Sequence, residues 1–318
     1  ETLEALDNIA VGSKALYSNT TGNQNTANGS QSLLRNTGGN RNTAIGFNSL
    51  KFNTLGGFNS AIGSQSLFSN TTGNENTANG SQSLFSNTTG YGNVGNGFNS
   101  LYNNTSGAYN VANGYKALYA NTTGILNVAS GFNSMSSNST GGYNTAIGAK
   151  SLASNTTGNE NVAIGISSLF ENIKGDNNTA IGSSSLGNNL EGNNNVAIGS
   201  GALFYNTEGN YNIASGYNAL FNNFLGNSNV GIGINSLYKN TNTSNLVAIG
   251  DSALYNNIGP ANTAVGSKAL YSNTTGENNT SNGYQSLYTN SIGTNNTAFG
   301  FQNLFSNTSG IENTSQGF

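Results

Sequence analysis

An all-β fold, a β-solenoid (β-roll) of about eighteen 17-residue coils, is what this sequence predicts, and three observations predict it. A 17-residue unit recurs from Asn8 to the last residue, glycine stands at one place in every copy, and two asparagine columns run through the copies almost without exception. A unit this short cannot bury a core alone, so the copies must stack on one another. Helical repeats need roughly 30 or more residues per unit and disfavour Gly and Asn. With 44 Gly in 318 residues, helix is excluded.

Numbering the unit from its first Asn makes Asn59 position 1 and Glu75 position 17; eighteen full copies and a fragment, 313–318, align with one single-residue deletion. Positions 1 to 4 (Asn-Thr-Ala-Ile in Asn144 to Ile147) and 8 to 11 (Ser-Leu-Phe-Ser in Ser66 to Ser69) are short runs with β-branched or aromatic residues bounded by Gly. That is a strand signature, so each coil is expected to hold two short strands. Gly at position 5 in all nineteen copies, and nearly always at position 15, is expected to supply positive φ at the corners. Asn at positions 1 and 12 is expected to form side-chain amide ladders between coils.

Within the strands, Ala at position 3 and Leu at position 9 are the columns expected to point inward, leaving positions 2, 4 and 10 on the opposite side. Position 10 is aromatic in thirteen of eighteen copies: Tyr17, Phe68, Phe85, Tyr102, Tyr119, Phe170, Phe204, Phe221, Tyr238, Tyr255, Tyr271, Tyr288 and Phe305. Position 6 adds Phe47, Phe98, Tyr115, Phe132, Tyr217, Tyr284 and Phe301. An exposed apolar stripe of this length marks an interface. The position 10 column is therefore the candidate interface or adhesive surface, and side-by-side packing of several chains, three in the simplest case, is the expected use.

Composition narrows the function classes. Charged residues make up 7% of the chain, the formal net charge is −3, and the Lys and Arg residues are scattered singly, so there is no basic footprint for nucleic acid. No run of about 18 apolar residues occurs, which excludes membrane insertion by this segment. With no Cys and no His, Ser-His-Asp and Cys-His catalysis and Cys-ligated metals are excluded. Asp7, Asp176 and Asp251 do not form clustered calcium loops. No cofactor or metal is expected, and the chain is read as no enzyme.

The strings Asn42 to Gly46, Asn144 to Gly148, Asn161 to Gly165 and Asn195 to Gly199, each followed by x-x-Ser/Ala-Leu, resemble the head repeats of YadA-type trimeric autotransporter adhesins. They are also similar to Asn-Thr-Thr-Gly-rich arrays of bacterial surface proteins and phage tail-fibre-like proteins. The resemblance covers essentially the whole chain, although the unit is 17 residues where the YadA-type unit has about 14. It implies a trimer of parallel β-rolls acting as shaft or adhesive head, extracellular, on a cell surface or in a virion fibre. The partners it implies are further copies of the chain and a host-surface glycan or protein receptor.

Three features are weighed against that reading. Glu191 and Glu208 occupy position 14 of consecutive coils and are the one carboxylate pair placed for glycoside hydrolysis, but Lys174 precedes them in the same column, and a solvated charge column is the plainer reading. Thr at position 2 (Thr26, Thr43, Thr77, Thr145, Thr179, Thr263, Thr280, Thr297 and Thr314) and a partial Thr column at position 13 offer an alternative function, ice binding by displayed Thr ranks. Simple β-propensity explains position 2 as well. Lastly, residues 240–262 are irregular: Thr243 replaces Gly, Leu246 replaces Asn, and the only proline, Pro260, accompanies the deletion. A local turn adjustment is expected there. The array is read as one domain, 8–318, after a non-repeat lead-in, 1–7; both ends look cut, which suggests a piece of a longer polypeptide or end-to-end joining.

Overall fold

The computed structural model describes residues 7–317, so most of the lead-in, residues 1–6, and Phe318 lie outside the described residues. The chain divides into two compact units, Glu1–Asn159 and Glu160–Phe318. Each is a parallel β-solenoid, and together they hold about eighteen coils; no helix occurs among the described residues. The first unit carries strands β1 (Ile9–Val11) to β9 (Thr145–Ile147), and the second carries β10 (Val162–Ile164) to β19 (Thr314–Gln316). Within a unit, each strand pairs in parallel with its copy one coil on. Thr43, Ala44 and Ile45 face Ser60, Ala61 and Ile62, so like residues stand in line.

Every strand is three residues long and covers positions 2 to 4. The expected second strand at positions 8 to 11 is absent, and that segment is a turn. Its residues explain why. Ser100 and Leu101 are adjacent and both fully buried, which a strand with alternating side chains cannot achieve. Leu101 escapes the alternation by adopting φ +50, and the Leu or Met at position 9 does so throughout, from Leu16 to Leu304. Positions 7 and 17 are likewise left-handed, as in Lys116 (φ 53) and Tyr109 (φ 57).

The glycines divide into two kinds. Position 5 has the expected positive φ: Gly114 sits at +140, and a Cβ there would lie 2.5 Å from the Gly131 carbonyl oxygen. Position 15 corrects the expectation, because its φ is not positive. Gly is required there by close approach. A Cβ on Gly90 would lie 2.5 Å from the Gly107 carbonyl oxygen and collide with Asn87 Oδ1.

The core of each coil is half polar. Ala at position 3 and Leu at position 9 point inward as expected, for example Ala78 and Leu84, both fully buried. Beside them lie a small residue at position 8 and the two asparagines. Asn76 shows the position 1 ladder: its N–H and its Nδ2 both donate to Asn59 Oδ1, at 3.0 and 3.2 Å, and Nδ2 also donates to Gly90 O at 2.9 Å. Asn87 shows the position 12 ladder, donating to Asn70 Oδ1 at 2.8 Å and to the same Gly90 O at 3.0 Å. One glycine carbonyl thus ties both ladders together in the regular coils, the last, where Asn307 does not reach Gly310 O, excepted. Such bonds hold a thin core because each buried amide left unpaired costs about 1–3 kcal/mol.

Candidate functional site

The position 10 rings are held at the end of the left-handed turn, each directly after the buried Leu. Because that turn is not a strand, they are not turned wholly away from the core. Tyr17 is 75% exposed, whereas the other twelve are half-buried. What buries them is one another. In the first unit Phe68, Phe85, Tyr102 and Tyr119 stack in sequence, with centroids 4.9, 5.0 and 5.3 Å apart and interplanar angles of 2°, 3° and 15°. In the second, Phe204, Phe221, Tyr238, Tyr255, Tyr271, Tyr288 and Phe305 form an unbroken stack at 5.1 to 5.4 Å. Phe170 stands outside these stacks, since Gly187 follows it in the column.

The ladder geometry has a chemical consequence. A ring inside a stack has both π-faces covered by its neighbours and offers solvent only its edge, so face-on sugar stacking is confined to rings with a free face. Rings with more exposure stand at position 6, where Phe98, Tyr115 and Phe132 form a second stack, at 5.7 and 5.3 Å, and at position 17. The position 17 ring of Tyr109 meets Tyr91 edge-on at 5.0 Å, and the Tyr91 charge beside it raises the Tyr109 phenol above its ordinary value. Position 4 presents Ile45, Ile62, Ile181 and Ile198 on the outer sheet face. Sequence reasoning ranked the position 10 column first and missed that position 6 is the more exposed one.

Cations gather on these columns. Lys51 Nζ lies 5.6 Å from both the Phe52 and Phe68 centroids, Lys116 Nζ 5.4 Å from both Tyr115 and Tyr119, and Arg35 4.9 Å from Phe52. The carboxylate column behaves as a solvated one: Lys174 Nζ is 2.9 Å from Glu191 Oε1, with side chains 62% and 55% exposed. The hydrogen bond that Lys174 Nζ donates to Glu191, together with the Glu191 charge, raises the Lys174 pKa. Among the described residues no group of three or more Asp or Glu gathers as a metal site, and no helix is long and apolar enough to cross a membrane.

The two Thr columns separate. At position 13 the hydroxyls are spent on the backbone: Thr71 Oγ1 donates to Thr88 O at 3.0 Å, a carbonyl that also accepts the N–H of Thr71 and Thr72. Position 2 Thr side chains do stand on the outer sheet face, half-buried except at Thr314, but they are interrupted there by Val94, Val111 and the exposed Val128.

At the irregular segment both amide ladders are interrupted. Leu246 is fully buried where an Asn would stand, and Asn240 Oδ1 is buried with no hydrogen-bond partner. The deletion falls in the turn after Asn257, whose Nδ2 now reaches Gly259 O two residues ahead at 2.8 Å. Thr243 fills the position 15 site, its Oγ1 donating to Ile258 O at 2.7 Å. Pro260 removes no ladder bond, because position 16 N–H groups bond to side chains, as Gly57 N–H does to Asn74 Oδ1.

No protein-family model matches the sequence, and no curated protein matches it.

Proposed function

We propose that this chain is a structural and adhesive segment of an extracellular fibre, the shaft or head of a surface adhesin or tail fibre, that performs no catalysis. Several parallel copies assemble side by side, three in the simplest packing, and a host-surface glycan or protein is the receptor. The observation that carries the reading is the register: within each unit, parallel backbone pairs repeat coil after coil, accompanied by two amide ladders, broken at residues 240–262, and by runs of stacked rings, which suits a passive, mechanically regular element. The outer Ile and position 6 aromatic columns supply apolar surface for neighbours.

The test is native mass. Light scattering on the purified chain should return a multiple of 32.6 kDa, and replacing Phe98, Tyr115 and Phe132 together with Ser should return monomers that keep their circular dichroism. A monomeric wild-type chain defeats the assembly. Replacement of Tyr102, Tyr119, Tyr238 and Tyr255 with Ser separates interface from adhesive roles at position 10, since loss of receptor binding at unchanged mass favours adhesion. Ice binding is the second reading, favoured by the outward, in-register Thr at position 2. Arrest of ice growth by the soluble chain, abolished by Thr→Val changes at Thr26, Thr43 and Thr77, would establish it in place of the fibre.

A further inference from the structure

The second unit holds four tyrosines in one uninterrupted stack: Tyr238, Tyr255, Tyr271 and Tyr288, with successive centroids 5.1, 5.2 and 5.3 Å apart and planes within 16° of parallel. All four are half-buried, with one edge toward solvent. They sit where the chain most needs reinforcement. Tyr255 belongs to the coil in which Leu246 and the deletion interrupt both Asn ladders, yet the ring stack passes that coil unbroken. No disulfide can serve there, because the chain has no Cys.

We propose that this stack is an oxidative cross-linking site, at which neighbouring tyrosines are joined as dityrosine and the coils on either side of the ladder break become covalently tied. The oxidant is hydrogen peroxide acting through a peroxidase-class one-electron catalyst. Each of two phenols gives up one electron and one proton, leaving two tyrosyl radicals, while one peroxide is reduced to two waters. The radicals couple through a new C–C bond between one ortho (Cε) carbon of each ring. Each ring then moves its ortho hydrogen to the phenolic oxygen and regains aromaticity, so every link removes two hydrogens from the chain. The stack favours this coupling. Tyr χ2 is a soft torsion, so neighbouring rings can turn their ortho edges toward each other, and the pair closes from its stacked 5.1 to 5.3 Å as the bond forms. Parallel register holds the partners at one coil's distance, so the correct pair meets without diffusion.

The experiment treats the full chain at low concentration with horseradish-type peroxidase and limiting hydrogen peroxide, then reads intact mass, dityrosine fluorescence and the linked peptides. The expected result is a loss of two hydrogens per link at unchanged chain length, with linked peptides joining Tyr238 to Tyr255, Tyr255 to Tyr271 or Tyr271 to Tyr288. Amides of residues 240–262 should exchange more slowly afterwards. In the double variant Tyr255→Phe, Tyr271→Phe the stack is kept but no two of the four phenols remain adjacent, so links within 238–288 should be lost. Retention of the wild-type yield by that variant overturns the proposal. So does a product confined to links between chains at the exposed Tyr17, Tyr143, Tyr211 or Tyr217, and so does the absence of any link under conditions that couple free tyrosine.

Discussion

Three coils of the first unit, 76–126, and the two coils 229–261 of the second are built from the same unit, but they solve the packing of one corner differently. In the regular coils, Gly90, Gly107 and Gly124 leave no room for a Cβ, and each carbonyl accepts a hydrogen bond from both asparagines of its coil. In the irregular region a threonine fills that corner, a leucine replaces one asparagine, and a residue is missing from the next turn. The changes compensate for one another. The shortened turn brings Asn257 Nδ2 to Gly259 O, Thr243 Oγ1 donates to Ile258 O in that same turn, and Leu246 is fully buried where an Asn would stand. What remains uncompensated is small: Asn240 Oδ1 has no partner, and the Val247 N–H to Asn262 O bond is 3.2 Å where the equivalent bonds are 2.8 Å. A substitution forbidden in one coil is therefore permitted in another by its neighbours, not by its own chemistry.

The largest effect should come from moving the irregular residue into the regular coil. Gly107→Thr places a Cβ 2.5 Å from Gly124 O and 2.8 Å from Asn121 Nδ2. We expect a cost of roughly 3 kcal/mol or more, above the usual range for overpacking because a backbone carbonyl cannot move aside. The reverse change, Thr243→Gly, should alter stability by less than about 1 kcal/mol, mainly through added backbone freedom. Hydrogen exchange resolved coil by coil checks both, since stability in stacked repeats is local. Equal costs for the two would show that the corner is no tighter in one coil than the other.

The next effect concerns the amide column. Asn110→Leu removes the acceptor for both the N–H and the Nδ2 of Asn127 and takes one donor from Gly124 O. At about 1–3 kcal/mol for each buried group left unpaired, the coil should open measurably. Leu246→Asn restores bonds worth about 0.5–1.5 kcal/mol each but gives up roughly 1.5–3 kcal/mol of Leu burial, so its net change should stay within about 1 kcal/mol of zero. Thermal unfolding of the two variants should separate them clearly. A smaller, purely local effect should appear without any substitution: the Val247 amide should exchange faster than those of Val230 and Val196, whose bonds are shorter.

Much of this was legible in the residues because ladders repeat. The inward Ala and Leu columns, the asparagine ladders and the positive φ of the position 5 glycine follow from columns that hold one residue type in nearly every copy. The left-handed turn was not legible, for a physical reason. Sequence announces positive φ through Gly or Asn, but position 9 adopts it with leucine, whose burial outweighs the strain and leaves no compositional trace. Two residues did carry a signal: Gly92 and Gly201, the odd glycines of positions 17 and 7, both lie at left-handed φ, 63° and 68°. The candidate site was legible as a column but not as a stack. Ring faces covered by other rings cannot be read from spacing alone, and neither could the greater exposure of position 6.

That left-handed strain supplies the smallest and cleanest test of the comparison. Ala261 occupies position 17 of the irregular coil, exposed, at φ +56, with a methyl group as its whole side chain. An L-residue there carries a conformational cost of about 1 kcal/mol that glycine avoids. Ala261→Gly should therefore stabilise the coil by up to about 1 kcal/mol, reduced by the greater freedom glycine gains on unfolding. The matching position in the regular region runs the other way. Gly92→Ala adds the same strain at φ +63 and brings a Cβ to 2.8 Å from the Tyr109 ring, so it should destabilise by somewhat more than Ala261→Gly stabilises. Opposite signs in the shift of the unfolding midpoint would establish that left-handed strain, borne at three places in nearly every coil, is what the buried leucines and amide ladders offset. If both substitutions destabilise, position 17 is held by its neighbours at no strain, and the weakness of the coil 246–261 lies in its interrupted ladders alone.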